Sequence, residues 1–119
     1  MDSIAIIFRK SPYGSVFVLE GLRIATAMTA YDLETHAIFC DDAVFALLKN
    51  QDPTLLGMAS LEPAVKNLPR FDVKVYCVKE AMEQRMITEE QLIEITDMKV
   101  ASHAEISQLL VKVDTAISV

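Results

Sequence analysis

Short apolar runs alternate along this chain with stretches of helical periodicity, and this alternation limits the possible folds more than any other feature. The first run, residues 3–8, is apolar at almost every position, which is typical of a central strand covered on both faces. Four similar runs follow, at residues 35–40, 73–77, 98–102 and 115–119. Because strands that alternate with helices are typical of βαβ units, the sequence predicts a three-layer α/β/α fold with a five-stranded, mostly parallel sheet.

Helical patterns fill the segments between the predicted strands. Helices are predicted at residues 16–30, 43–49, 61–69, 78–85 and 105–112, with a further short helix after residue 88. Thr88 and Ser102 each begin a sequence of the capping-box type, which indicates a helix start. The longest irregular stretch, residues 50–59, contains a proline and a glycine. We expect it to border the edge that carries the cysteines and to be more mobile than the sheet.

Length and composition favour one domain, spanning residues 1–119, that associates with other proteins. Apolar residues make up 52% of the chain and the mean hydropathy is +0.31, which is more than a domain of this size needs to fill its core. We therefore expect an oligomer, made of one chain type or of several. A net charge of −6 opposes direct nucleic-acid binding, because phosphate backbones require a basic surface.

The sequence also restricts the cellular location and the chemistry that we expect of this protein. The first residues lack a basic stretch followed by a cleavable apolar core, and no apolar run approaches the roughly 18 residues of a membrane span. We expect a cytoplasmic protein without membrane association, whose two cysteines are free thiols rather than a disulfide. The chain has no CxxC motif or other clustered ligand spacing, so we expect neither a metal ion nor an organic cofactor.

Cys77 is the residue with the clearest chemical potential. It closes the apolar run 73–77 and directly precedes the predicted helix 78–85, so its thiol is expected at the carboxyl edge of the sheet, above a helix N-terminus. Ligands of open α/β sheets bind at this edge, and the free N–H groups and dipole of a helix N-terminus favour a thiolate. The alternative is that Cys77 is a small core residue, because cysteine is among the most buried residue types.

Cys40 and His103 are weaker candidates for the same chemistry. Cys40 also ends a predicted strand, but Asp41 and Asp42, the expected N-caps of the next helix, oppose a thiolate by like-charge repulsion. We interpret Cys40 as structural, with a second reactive thiol as the alternative. His103 lies at another strand end, where it is an exposed residue in the first turn of a helix or, in the alternative, a proton shuttle beside Cys77.

Three short motifs occur in a fixed order along the chain. They are SPYGS at residues 11–15, EGL at residues 20–22 and AIFCDDAVFALL at residues 37–48. Together they resemble the DsrE/DsrF family, most closely its TusC/DsrF branch, and the resemblance covers essentially the whole chain. It implies an α/β/α domain with a five-stranded parallel sheet that assembles with related subunits. It also implies a part in sulfur relay between donor and acceptor proteins, for tRNA 2-thiouridine synthesis or for sulfur oxidation.

The resemblance gives Cys77 a more specific role. In the family, the sulfur-carrying cysteine belongs chiefly to the TusD/DsrE branch, at a strand end, and Cys77-Val78 resembles that position. The Arg-Gly pair that follows there is replaced here by Arg85-Met86. The resemblance implies a protein that carries sulfane sulfur as a persulfide on Cys77. Such a protein is a candidate subunit of a sulfurtransferase. The alternative is a non-catalytic assembly subunit. A carrier Cys77 should react with iodoacetamide faster than Cys40.

Overall fold

The computed structural model describes residues 2–119 and contains a five-stranded sheet whose strands are all parallel. The strands are β1 (Ser3–Phe8), β2 (Glu34–Phe39), β3 (Val73–Val78), β4 (Lys99–Ala101) and β5 (Thr115–Ser118). Their order across the sheet is β4-β3-β2-β1-β5. The strands from β1 to β4 are therefore added in one direction, and β5 returns to the other side of β1. The predicted α/β fold with a five-stranded sheet is confirmed.

Within residues 2–119, four α-helices and four 3-10 helices connect the strands. The α-helices are α1 (Phe17–Thr29), α2 (Glu62–Lys66), α3 (Lys79–Gln84) and α4 (His103–Lys112). The 3-10 helices are Asp41–Leu47, Pro53–Leu56, Leu68–Phe71 and Glu89–Gln91. No helix in this described part of the chain has the length and apolar character needed to cross a membrane.

The segment after β2 differs from the α-helix predicted over residues 43–49. It is the 3-10 helix Asp41–Leu47, and the two aspartates lie in its first turn instead of capping it. Asp41 has a φ of 49°, a left-handed conformation that aspartate and asparagine tolerate better than most residues. The chain therefore turns sharply at the end of β2, and Cys40 lies outside the strand.

The long connection from there to β3 contains more regular structure than the sequence indicates. Within the stretch predicted as irregular, residues 50–59, the chain forms the 3-10 helix Pro53–Leu56. The predicted helix 61–69 is divided into α2 and the 3-10 helix Leu68–Phe71. The division follows from Pro69, which has no N–H to donate to the preceding turn. The mobility expected of residues 50–59 stays a prediction.

Helices lie on both faces of the sheet, which gives the molecule its three layers. In the strand register, Phe8, Phe39 and Cys77 share one face, whereas Tyr76, the residue before Cys77, lies on the other. Helix α1 packs on the first face, because its Gly21 lies against Phe8. Helix α4 packs on the second face, where its residues border a pocket with Tyr76. The connection through α4 thus returns the chain across the sheet to β5.

Helix α1 approaches the sheet most closely at Gly21. The rings of Phe8 and Phe39 stack with their centroids 4.5 Å apart, and both side chains are fully buried. A Cβ atom at position 21 would meet the ring of Phe8 and lie 2.8 Å from Cγ2 of Val119. The absence of a side chain at Gly21 therefore sets the distance between the helix and the sheet.

We expect Gly21→Ala to lower the free energy of unfolding by about 1–3 kcal/mol, the usual cost of overpacking a core. Alanine is the better helix former by about 1 kcal/mol, so a loss of stability means that the contact with Phe8 outweighs helix propensity. Urea denaturation measures the change. In a Phe8→Leu background the same substitution should cost less, because the different side chain leaves room for the new methyl group. Equal costs in both backgrounds would contradict close packing at this point.

Candidate functional site

Cys77 lies inside β3 and not at its end. The strand continues to Val78, which pairs in register with Ala101 of β4 and is then the N-cap of α3. Cys77 itself pairs in register with Phe39 and Val100 of the neighbouring strands and has no exposed surface. The thiol is therefore enclosed in the core, on the face of the sheet that α1 covers.

The surroundings of the Cys77 thiol disfavour its charged form. Burial and, to a smaller extent, the carboxylate of Glu89 raise the pKa of Cys77 to about 12. Helix α3, which follows the strand, has six residues and does not offset the cost of placing a charge away from water. Burial and Glu89 thus oppose the thiolate that the sequence predicts above this helix N-terminus. A role for Cys77 as a sulfur carrier stays a prediction.

Cys40 is the more accessible thiol, because β2 ends one residue before it. Its side chain is half-buried, and the thiol donates a hydrogen bond to the carbonyl oxygen of Phe8 across 3.5 Å. Burial raises the pKa of Cys40 and the Asp41 carboxylate raises it further, whereas Arg9 and Arg85 act in the opposite direction. The like-charge repulsion expected from Asp41 is therefore present, and the two arginines partly offset it.

Two arginine–aspartate pairs flank Cys40. Arg9, just after β1, has its Nε 3.2 Å from Oδ2 of Asp41. Arg85, at the end of α3, has its Nη2 3.0 Å from Oδ1 of Asp42. Sequence reasoning does not identify Arg85 as part of this region, because its partner lies 43 positions earlier in the chain. The only signal in the sequence is that Asp42 and Arg85 each come after a predicted strand of the same parallel sheet. The ends of parallel strands meet at one edge of the sheet.

His103 lies in the first turn of α4, with 66% of its side chain exposed. Its backbone N–H donates to the carboxylate of Glu80 at 3.0 and 3.2 Å, and its Nδ1 lies 3.9 Å from Oε2 of the same group. Between residues 2 and 119, no hydrogen bond or ion pair joins His103 to Cys77 or Cys40. The polar contacts of His103 are thus made with Glu80, and its proton-shuttle role stays a prediction.

A polar cluster on the opposite face of the sheet surrounds His36, which is only 5% exposed. Its Nδ1 lies 3.0 Å from the hydroxyl oxygen of Tyr76, and its Nε2 lies 3.5 Å from Oε1 of Glu34. The same Glu34 oxygen accepts a hydrogen bond from Nζ of Lys74 at 2.5 Å. Burial lowers the pKa of His36, and Glu34 opposes that effect. These contacts satisfy the hydrogen-bonding groups of the buried imidazole, and no local sequence pattern around His36 indicates them.

Two surface pockets lie at the β4 side of the sheet and share two residues that neighbour Cys77. Their volumes are about 460 and 220 Å³, and Glu89 and Val100 line both of them. Val100 is the sheet neighbour of Cys77, and Glu89 is the charged group that acts on its thiol. Both pockets therefore lie beside residues that neighbour Cys77, although Cys77 itself lines neither of them. In the described residues, 2–119, no three His, Cys, Asp or Glu side chains are placed to hold a metal ion.

These features define a small parallel α/β protein with two free thiols, one enclosed under the helices and one beside the carboxyl edge of the sheet. The chain belongs to the DsrE/DsrF-like family, whose sequence profile matches residues 2–119. The family predicted from the three sequence motifs is therefore confirmed.

Individual proteins agree with this assignment. The intracellular sulfur oxidation protein DsrF of Allochromatium vinosum is 28% identical over 109 residues, which cover 91% of this chain and 80% of that protein. A TusC homolog of Pseudomonas aeruginosa is 35% identical over 92 residues, which cover 76% of this chain and 77% of the homolog. The YchN protein of E. coli superposes over the full length of both chains, with a TM-score of 0.84 and 25% identity. The predicted TusC/DsrF branch is also confirmed.

In the native protein we expect iodoacetamide to modify Cys40 faster than Cys77, the reverse of the order that the sequence predicts. Cys77 is enclosed, and a pKa of about 12 leaves a thiolate fraction of roughly one in ten thousand at about pH 8. Mass spectrometry of the digested protein measures both rates. In concentrated urea the two thiols should react at similar rates, which is the control. Faster modification of Cys77 in the native protein would contradict its burial.

Replacement of Asp41 by asparagine should lower the pKa of Cys40 and speed its alkylation at neutral pH. The change removes a negative charge that raises this pKa, and asparagine tolerates the positive φ of the position. The pH dependence of the alkylation rate measures the shift. Asp97→Asn is the matched control, because Asp97 has the same charge and a similar φ of 60° but does not act on Cys40. Identical rates for the two variants would mean that Asp41 does not control this thiol.

Proposed function

We propose that this chain acts in sulfur relay as a subunit that helps to transfer sulfane sulfur within an assembly of related proteins, without carrying the sulfur on Cys77. Sulfur relay is proposed because the relatives of the chain are named as an intracellular sulfur oxidation protein and as TusC homologs. The observation that carries the non-carrying role is the complete burial of Cys77. The partners are DsrE/DsrF-family subunits, together with sulfur donor and acceptor proteins.

Transfer of sulfane sulfur places two requirements on a carrier thiol. Its thiolate attacks the terminal sulfur of a donor persulfide, R–S–SH, so that a new S–S bond forms and the donor leaves as the thiolate R–S⁻. The attacking sulfur must therefore be deprotonated and open to a second protein. Cys77 meets neither requirement in this fold, because it has no exposed surface and its pKa is raised to about 12.

Cys40 meets the same requirements only in part. It is half-buried, its thiol is hydrogen-bonded to the carbonyl oxygen of Phe8, and burial raises its pKa. Arg9 and Arg85 favour an anion nearby, but each is already paired with an aspartate. The proposal therefore gives the chain a role in docking and in organising the assembly, while a partner supplies the carrier thiol.

Two pathways suit this role. One is sulfur oxidation, which the name of the Allochromatium relative states, and the other is tRNA 2-thiouridine synthesis, which the resemblance to the TusC branch implies. A net charge of −6 favours contact with other proteins over contact with tRNA. In either pathway we expect the chain to meet protein-bound sulfur and not the nucleic acid.

A second candidate function is carriage of sulfur by Cys77 after a movement of the chain. Its support is the pair of pockets that share Glu89 and Val100, together with the resemblance of Cys77-Val78 to the carrier position of the family. Displacement of Glu89 would open a path to the thiol and remove a negative charge that raises its pKa. A partner that docks at the β4 edge would then activate the carrier.

A sulfur-transfer assay distinguishes the two candidate functions. The chain is mixed with a DsrE-type subunit, a donor persulfide and an acceptor protein, and the transfer of labelled sulfur is followed for the wild type, Cys77→Ala and Cys40→Ala. Under the assembly proposal, both variants should support transfer at the wild-type rate, and omission of the chain should slow it. Circular dichroism checks that the variants are folded.

Two other results of this assay have definite meanings. Loss of transfer with Cys77→Ala alone, with one sulfur atom found on Cys77 of the wild type by mass spectrometry, would make Cys77 the carrier. Transfer at the same rate with and without the chain would contradict both candidate functions.

A further inference from the structure

A pocket lies between α4 and the β4 side of the sheet, on the face opposite to Cys77. Its volume is about 220 Å³, and its apolar lining includes Ala101 of β4 together with Ile106 and Leu109 of α4. Ala101 and Ile106 are buried, so this part of the lining belongs to the core. The pocket is smaller than the roughly 300–1,000 Å³ sites of drug-sized ligands, and its size suits an organic molecule of about ten non-hydrogen atoms.

Tyr76 gives this pocket an aromatic wall, and a buried side chain holds the ring of Tyr76 in place. The hydroxyl oxygen of Tyr76 lies 3.0 Å from Nδ1 of His36, an imidazole that is only 5% exposed. Nε2 of His36 in turn lies 3.5 Å from Oε1 of Glu34. Because the ring is already fixed, a planar apolar molecule that packs against it costs little further side-chain entropy.

Two lysines make this pocket positive, although the whole chain has a net charge of −6. Lys99 of β4 and Lys112 of α4 both line the pocket, and neither forms an ion pair within residues 2–119. The carboxylate in the lining belongs to Glu105, whose Oε1 accepts from the N–H group and the hydroxyl of Ser102 at 3.3 and 3.2 Å. The pocket therefore has two cations available for an anion, and its own carboxylate is engaged in the cap of α4.

We propose that this pocket binds a small aromatic carboxylate, whose ring lies beside Tyr76 and whose carboxylate pairs with Lys99 and Lys112. An inorganic anion would leave the apolar lining in contact with water. A neutral aromatic compound would leave both lysines without a partner. The combination of an aromatic wall, an apolar floor and two cations therefore defines the chemical class of the ligand.

The proposed binding site is separate from the proposed part in sulfur relay. Tyr76 and Lys99 are register partners on one face of the sheet, whereas Cys77 lies on the other face and has no exposed surface. A carboxylate bound in the pocket is therefore not a reactant of Cys77. The inference does not depend on sulfur transfer, and its test measures binding alone.

A titration of the full chain with benzoate, followed by two-dimensional NMR at low ionic strength, tests the site. The backbone amide signals of Tyr76, Lys99 and Leu109 should shift and saturate, with a dissociation constant of about 1 mM for so small a ligand. Benzamide has nearly the same shape without the charge, and it should bind at least roughly fivefold more weakly. Inorganic phosphate has the charge without the ring and should not saturate the same signals below the concentration at which benzoate does.

Substitutions separate the charges from the aromatic wall. Lys99→Gln and Lys112→Gln should each weaken benzoate binding roughly threefold, because each removes one exposed ion pair. Tyr76→Leu should weaken it at least roughly fivefold. Lys10→Gln is the matched control for charge, because Lys10 is exposed and follows β1, which β2 and β3 separate from β4 in the sheet.

Urea denaturation checks that each variant is folded, and the two lysine variants decide the test if Tyr76→Leu does not fold. Equal binding of benzoate and benzamide, or equal effects of Lys99→Gln and Lys10→Gln, would overturn the proposal. Shifts confined to residues outside the pocket, or no saturable binding of benzoate to the wild type, would overturn it as well.

Discussion

Parallel strand pairing is the constraint on which the rest of this structure depends. Two parallel neighbours cannot be joined by a tight turn, so every connection must pass over a face of the sheet. In this chain the connections cover both faces, and the central strands β1, β2 and β3 are largely buried as a result. The same constraint gathers the ends of all strands at one edge. The point at which each strand ends then decides which side chains are accessible there.

The two cysteines illustrate what the sequence predicts and what it does not. Apolar runs bounded by polar residues locate the strands to within about a residue, because burial on both faces demands such runs. That precision is enough for the fold but not for the site, since the structure places Cys77 inside β3 and Cys40 just beyond β2. A strand continues as long as its neighbour pairs with it. Val78 belongs to β3 because Ala101 pairs with it, which no local pattern around Cys77 indicates.

Contacts between distant segments are the other part of the site that the sequence does not predict. Arg85 meets Asp42, and His36 meets Tyr76, because the strand order places the segments side by side. Exposed ion pairs such as that of Arg9 contribute little to stability. Their effect here is local, because they place positive charge near a thiol whose other neighbour, Asp41, is acidic.

The hydrogen bonds between Glu80 and the first turn of α4 have a consequence for small anions. A helix N-terminus attracts anions through its free N–H groups. Here a carboxylate of the chain itself accepts from His103, and the backbone N–H groups of Glu80 and His103 hold the pKa of Glu80 below its ordinary value. A dissolved anion would have to displace a tethered competitor, whose effective concentration exceeds that of a free ion. At the start of α4 the chain therefore provides its own anion for the N–H group of His103.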